Sequence, residues 1–135
     1  MGPNTNAYAS AVNNLGEVVG SSGVLDSAGI EQSHAFLYSG GEMGDLGTLG
    51  GAFSYAYGVN DLGQVVGWSQ LAGGSSAHGF MYLQGQMRDL NDLLSLAASG
   101  WTVTEAHSIN DRSQIVANAS SSDGTIHAVL LNPYH

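Results

Sequence analysis

Cysteine and lysine are both missing from this chain, proline occurs only twice, and charged residues make up only 10% of it. Without cysteine there are neither disulfides nor thiolate metal sites, and the compartment is left open by that absence alone. Arg88 and Arg112 are the only cationic side chains against eleven carboxylates, giving a formal net charge of −9. A phosphate backbone would be repelled by that balance, so nucleic acid is not expected as a partner, and neither is an anionic membrane surface. No apolar run approaches the roughly eighteen residues of a helical membrane span, so no membrane insertion is expected. Met1-Gly2-Pro3-Asn4 has neither the basic nor the apolar region of a secretory signal; in an exported protein the signal would already have been removed.

What the chain has is repetition. Twenty glycines and a 43% hydrophobic content accompany one motif written three times. The middle copy, Val59-Asn60-Asp61-Leu62-Gly63-Gln64-Val65-Val66-Gly67, is matched by Val12-Asn13-Asn14-Leu15-Gly16-Glu17-Val18-Val19-Gly20 and by Ile109-Asn110-Asp111-Arg112-Ser113-Gln114-Ile115-Val116-Ala117. The asparagines recur 47 and 50 residues apart, a period that signals an array of one supersecondary unit. Each copy reads as strand, turn, strand. Asn-Asn-Leu-Gly fits a type I turn followed by a glycine with positive φ, a G1 bulge, and each Asn is expected to accept from a backbone N–H two residues on. Ser113 stands where Gly16 and Gly63 can take that conformation freely, so strain is expected there.

Two further strands complete the unit. His34-Ala35-Phe36-Leu37-Tyr38 and Glu42-Met43-Gly44-Asp45-Leu46 have counterparts in His78-Gly79-Phe80-Met81-Tyr82 and residues 86–90, while the last copy ends after Ile126-His127-Ala128-Val129-Leu130-Leu131. A polar lead-in is expected over residues 1–6. The one helical candidate starts at Asn91 as cap and carries Leu93, Leu94, Leu96 and Ala97 as an apolar stripe, with Gly100 as its stop. The reading is one all-β domain over residues 1–135, propeller-like, with three four-stranded repeats at about 7–51, 52–100 and 101–135, the last incomplete. Three blades do not close a ring. Completion by a homo-oligomer, a dimer before other states, is therefore expected.

The combination of Asp45-Leu46-Gly47-Thr48-Leu49-Gly50-Gly51, the Asn60 motif and His34-Ala35-Phe36 resembles the bacterial extracellular HAF-repeat family, and the stretch from Asp89 through Trp101 to Leu131 resembles that family's closing repeat. The resemblance implies a propeller-like protein of the cell surface or exterior, and brings no activity that maps residue by residue. The triplet departs from the pattern at His78-Gly79-Phe80 and His127-Ala128-Val129.

Candidate chemistry is sparse. Tyr8, Tyr55, Tyr57, Trp68, Tyr82 and Trp101 suit the stacking of a sugar ring, with Trp68, Tyr57, Tyr82 and Trp101 as the candidate site, and Trp68 stands out because its counterparts are Ser21 and Asn118. His34, His78 and His127 occupy matching strand starts and would bind a metal only if symmetry brought them together. Asp89 and Asp92, with Asn91 between them, are oxygen ligands of the kind calcium takes, although no calcium loop is spelled out, and otherwise no cofactor is expected. The expected function is a non-enzymatic binding or scaffold module with a glycan or surface partner. The alternative is a hydrolase or lyase with its site in a central tunnel or between chains.

Overall fold

The computed structural model describes residues 6–96 and 99–133. Most of the expected lead-in, Ala97 of the apolar stripe, and Tyr134 and His135 lie outside the described residues. The chain is all-β apart from one short helix. Strands β1 (Ala7–Val12), β2 (Val18–Leu25), β3 (Glu31–Ser39) and β4 (Glu42–Gly47) form the first unit; β5 (Gly50–Val59), β6 (Val65–Leu71), β7 (Ala77–Leu83) and β8 (Gln86–Asp89) the second. After helix α1 (Leu90–Leu93), β9 (Thr102–Ile109), β10 (Ile115–Ser120) and β11 (Ile126–Leu131) form the third. Within each unit consecutive strands pair antiparallel in a meander. A parallel bridge from Ser33 to Phe53 joins β3 to β5, and another from Leu49 to Leu71 holds the linker after β4 against β6, so the first two units are hydrogen-bonded together. Among the described residues the sheets close into no ring.

The helix departs from expectation at its start. Asp89, not Asn91, is the N-cap, accepting from the Asn91 N–H, and the helix is a single turn. Asn91 instead faces β9, donating to the Val103 carbonyl and accepting from the Val103 N–H through its amide. A short aspartate one residue before the helix satisfies an orphan N–H that a first-turn asparagine cannot reach.

Period-two alternation sends neighbouring side chains to opposite faces, and both faces of the second unit are used. Val65 and Phe80 pack with Ala56 and Val59 against Val19, Ala35 and Leu46 of the first unit. Val66 and Met81 point the other way, joining Leu90 against Val103, Ala106, Ile109, Ile115, Ala117 and Ala119 of the third. Burying each such branched or aromatic side chain contributes about 1.5–3 kcal/mol, so the two inter-unit layers are the core. Where β9 crosses β7 the layer is thin. A Cβ on Gly79 would lie 2.8 Å from Val103 Cγ1, which is why the middle triplet carries glycine where the first has Ala35.

The three turns repeat one geometry. In the first, the Gly16 N–H donates to the Asn13 carbonyl and the Asn13 N–H to the Glu17 carbonyl, with Gly16 at φ 78°. Gly63 at φ 76° and Ser113 at φ 60° hold the same place. Each asparagine side-chain oxygen accepts two backbone N–H groups of its own turn, from Leu15 and Glu17, from Leu62 and Gln64, and from Arg112 and Gln114. The amide nitrogen reaches further. Asn13 Nδ2 donates to the Asn60 carbonyl and Asn60 Nδ2 to the Asn110 carbonyl, both at 2.9 Å. Alongside, the Asn14 N–H donates to Asp61 Oδ1 and the Asp61 N–H to Asp111 Oδ1, both at 2.8 Å. Turn is stacked on turn in a polar ladder that sets the register between sheets.

Next to this ladder, two strands come unusually close. A Cβ on Gly20 would sit 1.8 Å from the Tyr8 carbonyl oxygen, and one on Gly67 1.9 Å from that of Tyr55. Both glycines lie at the bulges that break the β1–β2 and β5–β6 registers.

Two stability outcomes follow from the ladder. Asn60 is buried and uses both ends of its amide, so Asn60→Ala should lower unfolding free energy by about 2–4 kcal/mol, measured by urea denaturation. At Ser113 the positive φ costs energy, but its hydroxyl donates to Gln64 Oε1 across the unit boundary at 2.7 Å. Ser113→Gly should therefore be within about 0.5 kcal/mol of neutral, since relief of strain offsets the lost hydrogen bond, whereas Ser113→Ala, which keeps the strain, should cost about 1–2 kcal/mol. Equal losses in the two variants would contradict this division.

Candidate functional site

The aromatic side chains divide. On β5 and β6, Tyr55 and Trp68 are cross-strand partners with ring centroids 4.9 Å apart, and the indole N–H of Trp68 donates to the Tyr57 hydroxyl at 2.9 Å. Tyr57 then stacks on His107 of β9, centroids 5.2 Å apart and planes within 5°. Tyr57 and His107 stand at the same place in their repeats, three residues before the ladder asparagine, so the register set at the turns also brings these rings face to face. His107 Nε2 lies 3.3 Å from both Glu105 Oε1 and Asn118 Nδ2. Asn118, the repeat counterpart of Trp68, donates to Glu105. The result is a half-exposed aromatic surface along the boundary of the second and third units, edged by a carboxylate and an amide.

Tyr82 and Trp101 do not join it. Tyr82 packs against the core layer between the first and second units, and Trp101 meets His127 edge-on at 4.9 Å. Tyr55 belongs to the aromatic set the sequence offers, whereas His107, Glu105 and Asn118 carry no such signal in the sequence. Their signal was only positional: each is the repeat counterpart of, or the cross-strand neighbour to, one of the ring residues.

The three matched histidines are each engaged locally. His34 Nδ1 donates to Asp45 at 2.9 Å and His78 Nδ1 to Asp89 at 2.7 Å, the same pairing in two successive units. Asp89 is occupied twice over, since its other oxygen accepts the Asn91 backbone and side-chain N–H groups. Among the described residues no three His, Asp or Glu side chains gather as metal ligands would. Asp89 and Asp92 line an open cleft of about 820 Å³ between the first and second units, with Thr48, Gln86 and Arg88 as polar neighbours and Leu46, Leu49, Leu71, Met87 and Leu93 as apolar ones. A smaller cavity of about 260 Å³ lies against Tyr8, Phe53 and Tyr55.

No family model, curated protein or solved structure matches the chain. Its chemistry is therefore read from its own residues. No helix among the described residues is long and apolar enough to cross a membrane.

Two carboxylates have displaced acidities, and both displacements are structural in origin. Asp61 is held below the ordinary carboxylate range chiefly by the Asn14 side-chain amide, then by the Asn14 backbone N–H. Asp123 is lowered to about 2, first by the Ser121 hydroxyl and then by the Thr125 N–H, in the turn between β10 and β11. A group with a depressed folded value adds stability above its unfolded value and loses it as pH falls through the folded one. Both therefore cost stability below an ordinary value of 3.8, and for Asp123 the loss runs down to about 2. The melting temperature should fall between those limits, and the fall should be shallower in Asp61→Asn and in Asp123→Asn. An unchanged acid limb in both variants would refute the assignment.

Proposed function

We propose that the chain is a non-enzymatic binding module of the bacterial exterior, built of propeller-like blades, whose aromatic surface at Tyr55, Trp68, Tyr57 and His107 takes a carbohydrate. The observation that carries this is the continuous run of ring contacts from Tyr55 to His107, half-exposed and flanked by Glu105 and Asn118. A pyranose presents an apolar C–H face to a ring and hydroxyls at its edge, and this surface offers both counterparts. Trp68 supports the reading in particular. Ser21 and Asn118 fill its place in the other units, so the packing of the array does not demand an indole there. The net charge of −9 and the nearby carboxylate favour neutral or amine-bearing sugars over anionic ones.

The face-to-face packing of three like sheets supports the propeller-like arrangement, and the resemblance to HAF repeats supports the location. The enzyme reading has less behind it. Asp45 and Asp89 are committed to histidines and backbone N–H groups, and the acidities of Asp61 and Asp123 move away from those of a general acid.

A glycan array followed by tryptophan-fluorescence titration tests the proposal. Retention of a neutral glycan without turnover is expected, with Trp68→Ala weakening it by about tenfold or more while Trp101→Ala leaves it unchanged. Equal loss in both variants, or no glycan retained, would overturn the site; release of a cleaved sugar would favour the hydrolase reading.

A further inference from the structure

The ladder that joins the units has two unfinished ends, and they are complementary. At each internal step the amide nitrogen of one unit donates to the asparagine carbonyl of the next, and a backbone N–H donates to the side-chain oxygen one residue further on. In the third unit Asn110 Nδ2 keeps only its bond to Gln114, and the Asp111 N–H has no acceptor among the described residues. In the first unit the Asn13 carbonyl accepts, among the described residues, only from Gly16, whereas the Asn60 and Asn110 carbonyls each accept a second bond from the preceding unit. Asn14 Oδ1 stands where Asp61 and Asp111 accept theirs, and among the described residues it accepts no bond. One end has two spare donors. The other has two spare acceptors at the same spacing.

The apolar positions tell the same story. Val19 and Val66 are fully buried against the following unit, while their counterpart Val116 is 50% exposed. Met81 is likewise buried, while its counterpart Leu130 is 58% exposed. On the opposite flank Val12 is 64% exposed, although Val59 and Ile109, its counterparts, are buried against the preceding unit. Phe36, the counterpart of Phe80, is already covered, so the uncovered set on that flank centres on Val12 and Ala9.

We infer that the third unit docks onto the first unit of a second copy of this chain, head to tail, continuing the ladder with Asn110 Nδ2 on the second copy's Asn13 carbonyl and the Asp111 N–H on its Asn14 Oδ1. The occupant is a second copy because the contact already exists twice inside the chain, and of the three turns only Asn13-Asn14 has both acceptors unused among the described residues, those of the Asn60-Asp61 and Asn110-Asp111 turns being taken by the preceding unit. A contact of like flanks is disfavoured, since it would set donors against donors at one end and acceptors against acceptors at the other. Such a heterologous contact closes into a ring if the rotation per unit allows and otherwise extends. With each copy carrying a net charge of −9, association should strengthen as salt screens the repulsion. None of this depends on what the aromatic surface binds.

The absence of native cysteine makes the polarity directly readable. Asn14→Cys and Asp111→Cys variants of the full chain are mixed and oxidised, with the Asn14→Cys/Asp61→Cys double variant as the intramolecular control for ladder geometry. The inference expects the mixed disulfide to dominate over either homotypic one. Light scattering on the unaltered chain should show a mass above the monomer that rises with concentration, and Val116→Glu/Leu130→Glu should weaken that association by at least about a hundredfold with an unchanged far-UV spectrum. Homotypic disulfides predominating, no mixed disulfide where the control closes, or a monomer that persists at high concentration would each overturn it.

Discussion

One primary carboxamide does two jobs at each turn, and the architecture hangs on its being both donor and acceptor. The oxygen of Asn13, Asn60 and Asn110 closes the hairpin of its own unit, and the nitrogen of the first two holds the next unit at a fixed offset. Aspartate could supply the first function only, and serine would be too short to span both. Because the link runs from turn to turn, it holds neighbouring sheets at one sliding register. The alternation of Val65 and Val66 toward opposite neighbours, the close approach at Gly79 and the stacking of Tyr57 on His107 all presuppose that register. Stability in such an array is a sum of unit and nearest-neighbour terms, and the middle unit, with a neighbour on each face, collects two of the latter.

Local chemistry was legible in the sequence and cross-unit chemistry was not. Strand alternation, the Asn-x-x-Gly turn and the four-strand order are written in adjacent residues, and they appear in the structure where the sequence places them. Ser113 shows the limit. Its positive φ follows from comparison with Gly16 and Gly63, but the hydroxyl bond to Gln64 belongs to another unit and could not be read from the turn itself. The same limit explains the helix start, because Asn91 is drawn away from capping by Val103, twelve residues on. Asp45 and Asp89 hold equivalent places in their repeats, and so do His34 and His78. That each carboxylate holds the histidine eleven residues before it required the β3–β4 and β7–β8 registers.

The aromatic site was half visible for a related reason. Trp68 is conspicuous as a large ring at a place where the other copies have Ser21 and Asn118, and the structure joins it to Tyr57. Tyr82 and Trp101 share its composition without its surroundings. His107 carries no signal of its own, and its importance rests entirely on being the counterpart of Tyr57 in the adjoining unit. Residue type suggested the chemistry, and repeat position decided which residues meet.

The two bulge glycines bear on how copies of a repeat can diverge. At Gly20 and Gly67 the obstacle to a side chain is the carbonyl oxygen of the facing strand, so no rotamer of a larger residue escapes it. The third unit has Ala117 at that place, and its β9–β10 pairing contains a second register shift, between Asn118 and Ala119, where Trp68 and Ser69 pair with β5 without a break. Exchange of glycine for alanine at this position thus goes together with a rearranged strand pairing. A side chain placed at Gly20 or Gly67 alone would collide with the facing carbonyl, so this position is free to vary only together with the strand pairing around it.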